Sequence, residues 1–152
     1  MISLEKLIDD GLLTQQDLDS TRPKFTFQVE FSKVYQWKYE LFHRAFENYR
    51  ENLREKYQSE IDQFYEIERY WLDDYTLYLA IKTEQQNQSW SEWSRELKQR
   101  HSNVLDKKRQ QYRDIIEEHI FIQFIFFRQW KQLKEYANQL RITILGGLIY
   151  LN

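Results

Sequence analysis

The sequence predicts a mainly α protein built on long helices, with one short strand at its C-terminal end. Three observations carry this expectation. Only three glycines and one proline occur in 152 residues, too few for the tight turns of a β-rich domain or a complete barrel. Apolar and aromatic side chains recur at i, i+3 and i+4 over long stretches. The run from Ile120 to Gly147 reads as an aromatic-faced helix that delivers the chain into a short apolar segment, which is half of a parallel β/α unit.

Taken in order, Ser3 to Gly11 reads as a short helix. Ser3 is placed to cap its first free amides and Gly11 to take the left-handed position past its end. Thr14 and Asp17 repeat a capping pattern for a second short turn. From Thr21 to Val29, Pro23 and the alternation Phe25, Phe27, Val29 suggest an extended linker. Ser32 opens a helical run whose buried face is Val34, Trp37, Leu41, Phe42, Ala45, Phe46, Tyr49 and Leu53. A second run spans 59–83. A polar connection follows from Thr83 to Ser89, and Trp90 to Trp93 starts a short helix. One long helix is expected over 103–138, charged in its first half and apolar in its second. It would be roughly 50 Å long, with one half free to project as an arm. Residues 1–152 then form a single partial domain: short helices and linker over 1–31, a helical body over 32–140, and a strand over 141–152.

Composition excludes several function classes. Without cysteine there is no disulfide, thiolate nucleophile or Cys-based zinc site. A net charge of −2 gives no drive toward nucleic acid or an anionic membrane. The longest apolar stretch, Ile120 to Phe127, is broken by Gln123 and falls far short of the ~20 residues of a membrane span. The N-terminus lacks the basic and apolar regions of a secretory signal. A soluble cytoplasmic protein is the expectation.

Glu40 and His43 share a helix face, but a di-iron site needs a second such motif, which neither His101 nor His119 supplies. The adjacent carboxylates Asp73/Asp74 and Glu117/Glu118 diverge by about 100° on a helix, so neither pair can flank a substrate. Asp74, set among Tyr70, Trp71, Tyr75 and Tyr78, could hold a buried structural hydrogen bond. Lys107, Lys108 and Arg109 are diluted by Asp106, Asp114 and Glu117 and read as a solvated face. Arg128 interrupts an apolar face, either reaching a carboxylate or carbonyl at the helix–strand joint or lying along apolar surface. No catalytic, cofactor-binding or metal-binding residue is assigned.

Four ordered blocks give the chain a resemblance to a known family. They are Ile2–Leu13, Val29–Lys38, Trp71–Lys82 with Trp90-Ser-Glu-Trp93, and Gln123–Trp130 continuing through Tyr136-Ala-Asn138 to Ile142–Gly146. Together they resemble the middle of the 4-alpha-glucanotransferases, or amylomaltases, of glycoside hydrolase family 77. The third is similar to W-L-x-D-Y-A-L-F-x-A-L-K … W-x-x-W-P, and the fourth to Q-F-L-F-F-R-Q-W … Y-A-N … G-I-x-I-I-G-D-I-P-I-F-V. The resemblance implies the helical insertion of an elaborated (β/α)8 barrel plus one barrel strand, and so an incomplete barrel. It implies transfer of α-1,4-glucan segments between maltooligosaccharides by a retaining double displacement, with two carboxylates and no cofactor.

In that family both carboxylates lie beyond the strand at which this chain ends, so the chain alone is expected to be inactive. Gly147 stands where the family has Asp and the following Pro is missing, while Glu30, Ser32 and Ser94 replace its Asp, Gly and Pro. The alternative is a non-enzymatic helical remnant that binds glucan or a partner. If the chain folds alone, an open strand edge at Ile142–Leu145 and an uncovered apolar face over Phe121–Phe127 would favour self-association.

Overall fold

Capping chemistry starts the fold at both short N-terminal helices. In this computed structural model, which describes residues 2–23 and 30–144, helix α1 spans Leu4–Asp9 and α2 spans Gln15–Thr21. The Ser3 hydroxyl accepts from the Lys6 amide. Thr14 and Asp17 form a reciprocal capping box. Gly11 adopts φ +78°, the left-handed turn past α1. The expected linker is shortened, because α2 continues to Thr21, and 24–29 lie outside the described residues.

Helix α3 spans Phe31–Asn48 and α4 spans Arg54–Glu84. The two expected runs are joined without a loop by a π-helical turn over Tyr49–Leu53. Beyond α4, Gln86 and Asn87 take positive φ and reverse the chain. A 3-10 turn over Trp90–Glu92 leads to α5 (Arg95–Lys98), then α6 (Ser102–Gln111) and α7 (Arg113–Gln139). The single helix expected over 103–138 is thus interrupted at Tyr112, whose φ −109° and ψ 24° leave the helical well.

Contacts fix how these helices lie. Arg128 sits beside Tyr57, Phe64 meets Phe124, and Glu84 pairs with Lys108. Helix α4 therefore runs antiparallel to the α6–α7 pair. Helix α3 behaves differently. Its contacts from Tyr39 to Phe46, and that of Tyr49 just beyond, fall on Glu118, His119 and Phe121, one turn of α7, so α3 crosses α7.

Two apolar cores result. The inner one joins Leu7 and Leu12 near α1, Leu41 and Phe46 of α3, Tyr57 and Ile61 of α4, and Phe121, Phe124 and Ile125 of α7. The outer one joins Leu77 and Ile81 of α4 with Trp93, Leu97 and Leu105. At about 25 cal/mol per Å² of apolar surface removed from water, these contacts dominate the stabilisation. The charged first half of the expected long helix is not a free arm: α6 buries Leu105 in the outer core.

One expectation about exposure is corrected. Phe121, Phe124 and Ile125 are buried, because the N-terminal segment and α3 cover that face of α7. Gln129 anchors the cover. Its Oε1 accepts from the Ser3 amide at 2.8 Å, and its Nε2 donates to the Ser3 carbonyl at 3.1 Å. Among the described residues there is no strand, and Ile142–Ile144 are irregular. The rest of the expected C-terminal strand, 145–152, lies outside the described residues. No described helix is long and apolar enough to cross a membrane.

Candidate functional site

Helical spacing lays a row of rings along α3. Phe31, Tyr35 and Tyr39, each four residues apart, are exposed at 81%, 74% and 42%. Four-residue spacing puts successive side chains on one face, so the rings form a ridge along the helix. Tyr75 of α4 is also exposed, and its hydroxyl lies within electrostatic range of Tyr35. Partial burial, with help from the Glu118 carboxylate, pushes the Tyr39 hydroxyl up to about 12. It stays a neutral donor through the physiological range. Around the ridge, Trp71 stacks near Phe127 and contacts Tyr75, while Tyr78 stacks on Trp93.

The ionisable groups singled out in the sequence are dispersed by the fold. Glu40 accepts from Arg44, whereas the His43 ring meets both oxygens of Glu118 at 3.2 Å. That pair therefore does not converge on a metal, and no group of three or more ligating side chains occurs among the described residues. Glu117 turns away from its neighbour to accept from Arg54 at 2.9 Å. Asp73 accepts from the Tyr65 hydroxyl at 2.6 Å, and Asp74 accepts from Arg100. The buried structural hydrogen bond considered for Asp74 is not there: Asp74 is exposed, and the part-buried bond is Asp73's, about 100° around the helix.

Lys108 donates to Glu84 and Arg109 to Asp106, which neutralises much of the basic triplet. Arg128 reaches a carboxylate, Asp10 at 2.7 Å, and lies over the Tyr57 ring at 5.2 Å. The partner is the end of α1, not a helix–strand joint.

The carboxyls that depart from their ordinary values all move down. Backbone and hydroxyl hydrogen bonds hold Glu5, Asp17 and Glu96 low. At Glu84, partial burial acts upward but is outweighed by the bonds from Lys108 and Tyr112. A general acid needs the opposite shift. His119 is buried with Nε2 unpartnered, and burial holds its imidazole below the ordinary value. It faces the Tyr39 ring edge-on at 6.4 Å, so it packs as a neutral ring.

Sequence reasoning missed Gln129 as an anchor. It had no signal, because its partner is the backbone of a residue 126 positions away.

These features define a helical segment with an exposed aromatic ridge on α3. Comparison with known proteins gives the family. A model of the 4-alpha-glucanotransferase family, glycoside hydrolase family 77, matches residues 1–150, and the chain belongs to that family. It is 34% identical over 149 residues to the 4-alpha-glucanotransferase of Aquifex aeolicus, covering 97% of this chain and 28% of that one. It is 37% identical to the chloroplastic/amyloplastic 4-alpha-glucanotransferase of Oryza sativa subsp. japonica, covering 97% of this chain and 25% of the relative. A solved structure, amylomaltase from Streptococcus agalactiae in complex with acarbose, superposes with a TM-score of 0.83 at 26% identity, covering 94% of this chain and 29% of that one. The chain thus spans between a quarter and three-tenths of these relatives' length.

Proposed function

We propose that this chain is the helical part of a 4-alpha-glucanotransferase acting on α-1,4-glucans in the cytoplasm. Within the whole enzyme it would stand as the insertion beside an incomplete portion of a (β/α)8 barrel, with 32–140 as the insertion and 141–152 leading into a barrel strand. The chemistry would be the family's retaining double displacement: one carboxylate attacks the anomeric carbon, and a second protonates the leaving oxygen and then activates the incoming hydroxyl. The observation that carries this reading is the family match over 1–150 together with the superposition on an amylomaltase. The carboxylates described above are tied into ion pairs or hydrogen bonds, and the chain by itself is expected not to turn over substrate.

Two assays test the reading. The chain alone, incubated with maltotriose, should release no glucose and form no longer maltodextrins. Grafted in place of the matching segment of the Aquifex aeolicus enzyme, it should support disproportionation. A folded chimera without activity would remove the functional assignment.

A second reading is favoured by the exposed row Phe31, Tyr35 and Tyr39. Sugar rings stack on such platforms, so this face would hold glucan away from any catalytic centre. Maltooligosaccharide titration followed by aromatic fluorescence should give a saturable change that Tyr35→Ala removes. Leu133, Tyr136, Leu140 and Ile142 are also exposed, and the isolated chain should self-associate through them. Light scattering showing a monomer at high concentration would contradict that.

A further inference from the structure

A pocket of about 170 Å³ opens beside the π-helical turn, away from the aromatic ridge of α3. Its floor is the buried trio Tyr49, Ile61 and Phe121, with the Tyr49 and Phe121 rings stacked at 4.9 Å. Its rim carries Gln58, Asp62 and Glu117. For scale, a cavity of about 150 Å³ holds benzene.

Hydrogen bonding at the rim decides what the pocket can accept. The Gln58 carbonyl accepts from the Tyr49 hydroxyl at 2.9 Å and from Arg54 Nε at 3.0 Å. Its amide donates to Asp62 Oδ1 at 2.7 Å. Arg54 Nη2 donates to Glu117 Oε1 at 2.9 Å. The Tyr65 ring lines the wall, but its hydroxyl donates away, to Asp73. Among the described residues Asp62 Oδ2 and Glu117 Oε2 accept no hydrogen bond, so acceptor capacity remains on residues lining the pocket. Glu117 is paired with Arg54 while Asp62 has no ion pair among the described residues, so the rim keeps one carboxylate's surplus negative charge.

The backbone supplies an independent pointer. π-helical residues are well under 1% of protein structure and gather at functional sites. Here the π-turn begins at Tyr49 on the pocket floor and ends at Leu53, whose φ −124° and ψ 10° turn Arg54 across the rim. The turn sends Arg50, Glu51 and Asn52 to solvent while Tyr49 and Leu53 stay on the inner core.

We infer that this pocket binds a small organic ammonium ion, its charged head against Asp62 and Glu117 and its apolar body on Tyr49, Ile61 and Phe121. The test is a ¹H–¹⁵N NMR titration of the full chain with cyclohexylammonium chloride, cyclohexanol and glucose at matched ionic strength. Expected are saturable shifts at the Tyr49, Ile61 and Phe121 amides, with the ammonium binding about tenfold or more tighter than cyclohexanol. Asp62→Asn, an exposed position, should weaken the ammonium severalfold while the spectrum stays folded. Asp114→Asn, on the first turn of α7, should leave it unchanged. Equal binding of cyclohexanol, or indifference to Asp62→Asn, would make this an apolar dimple and overturn the inference. Preference for glucose would make it a polyol site and overturn it equally, as would the absence of saturable shifts with all three.

Discussion

The side-chain amide of Gln129 closes two hydrogen bonds on the backbone of Ser3, accepting its N–H at 2.8 Å and donating to its carbonyl at 3.1 Å. A glutamine here acts as a short piece of β-ladder, pinning the first helix to α7. Truncation leaves a part-buried backbone donor and acceptor without partners. Gln129→Ala is expected to cost about 2 kcal/mol, read as a lower urea midpoint. Gln129→Glu keeps the acceptor but sets a buried carboxylate against the Ser3 carbonyl, and should cost at least as much.

Arg128, next in the chain, holds the other end of α1 through Asp10 and lies over Tyr57. Lysine keeps the charge but loses the planar fork and the stacking. Arg128→Lys should cost about 1 kcal/mol and Arg128→Ala about 2 kcal/mol, both by chemical denaturation. An unchanged midpoint for Arg128→Lys would mean that the fork geometry contributes nothing.

Gly11 separates conformational strain from crowding. A Cβ added there meets nothing within 4 Å, yet φ is +78°. Gly11→Ala should therefore cost about 1 kcal/mol through backbone strain alone. Gly11→Asn, which tolerates the left-handed region, should cost less. Equal losses for both would point to a packing role instead.

The buried imidazole of His119 sets a pH dependence. Its folded value lies below the ordinary 6.5, so in the window beneath 6.5 the unfolded chain binds more protons than the folded one. Stability rises with pH there. The contribution is complete above about pH 6.5 and is lost as pH falls toward the folded value. His119→Gln, uncharged throughout, should flatten the unfolding free energy between pH 7 and pH 5 relative to the parent. Glu84 and Asp17 act lower, losing their stabilisation only as pH drops below their ordinary 4.5 and 3.8.

What was legible in the sequence was local. The Ser3 cap, the Thr14–Asp17 box and the Gly11 turn each depend on residues within a few positions of one another, and all three are present. So is the alternation of apolar faces that gives the long helices. Relations across the fold were not legible. Periodicity marks Phe121 and Phe124 as apolar but does not say that α1 and α3 cover them. It marks Asp73 and Asp74 as carboxylates but not which one Tyr65 reaches. The π-turn escaped as well, because one extra residue per turn leaves the flanking patterns intact. At the candidate site, composition supplied the aromatics, while their division into a buried stack and an exposed ridge came only from the crossing of α3 and α7.

The inner and outer cores share helices but no buried side chain, and Tyr112 breaks the helical ladder between α6 and α7. Such a molecule need not open all at once. Amides of 95–111 should exchange with deuterium well before those of Leu41–Phe46 and Phe121–Ile125. The outer end is then a cassette: natural variants can lengthen, shorten or rewrite the Gln85–Ser89 reversal while the inner register is kept.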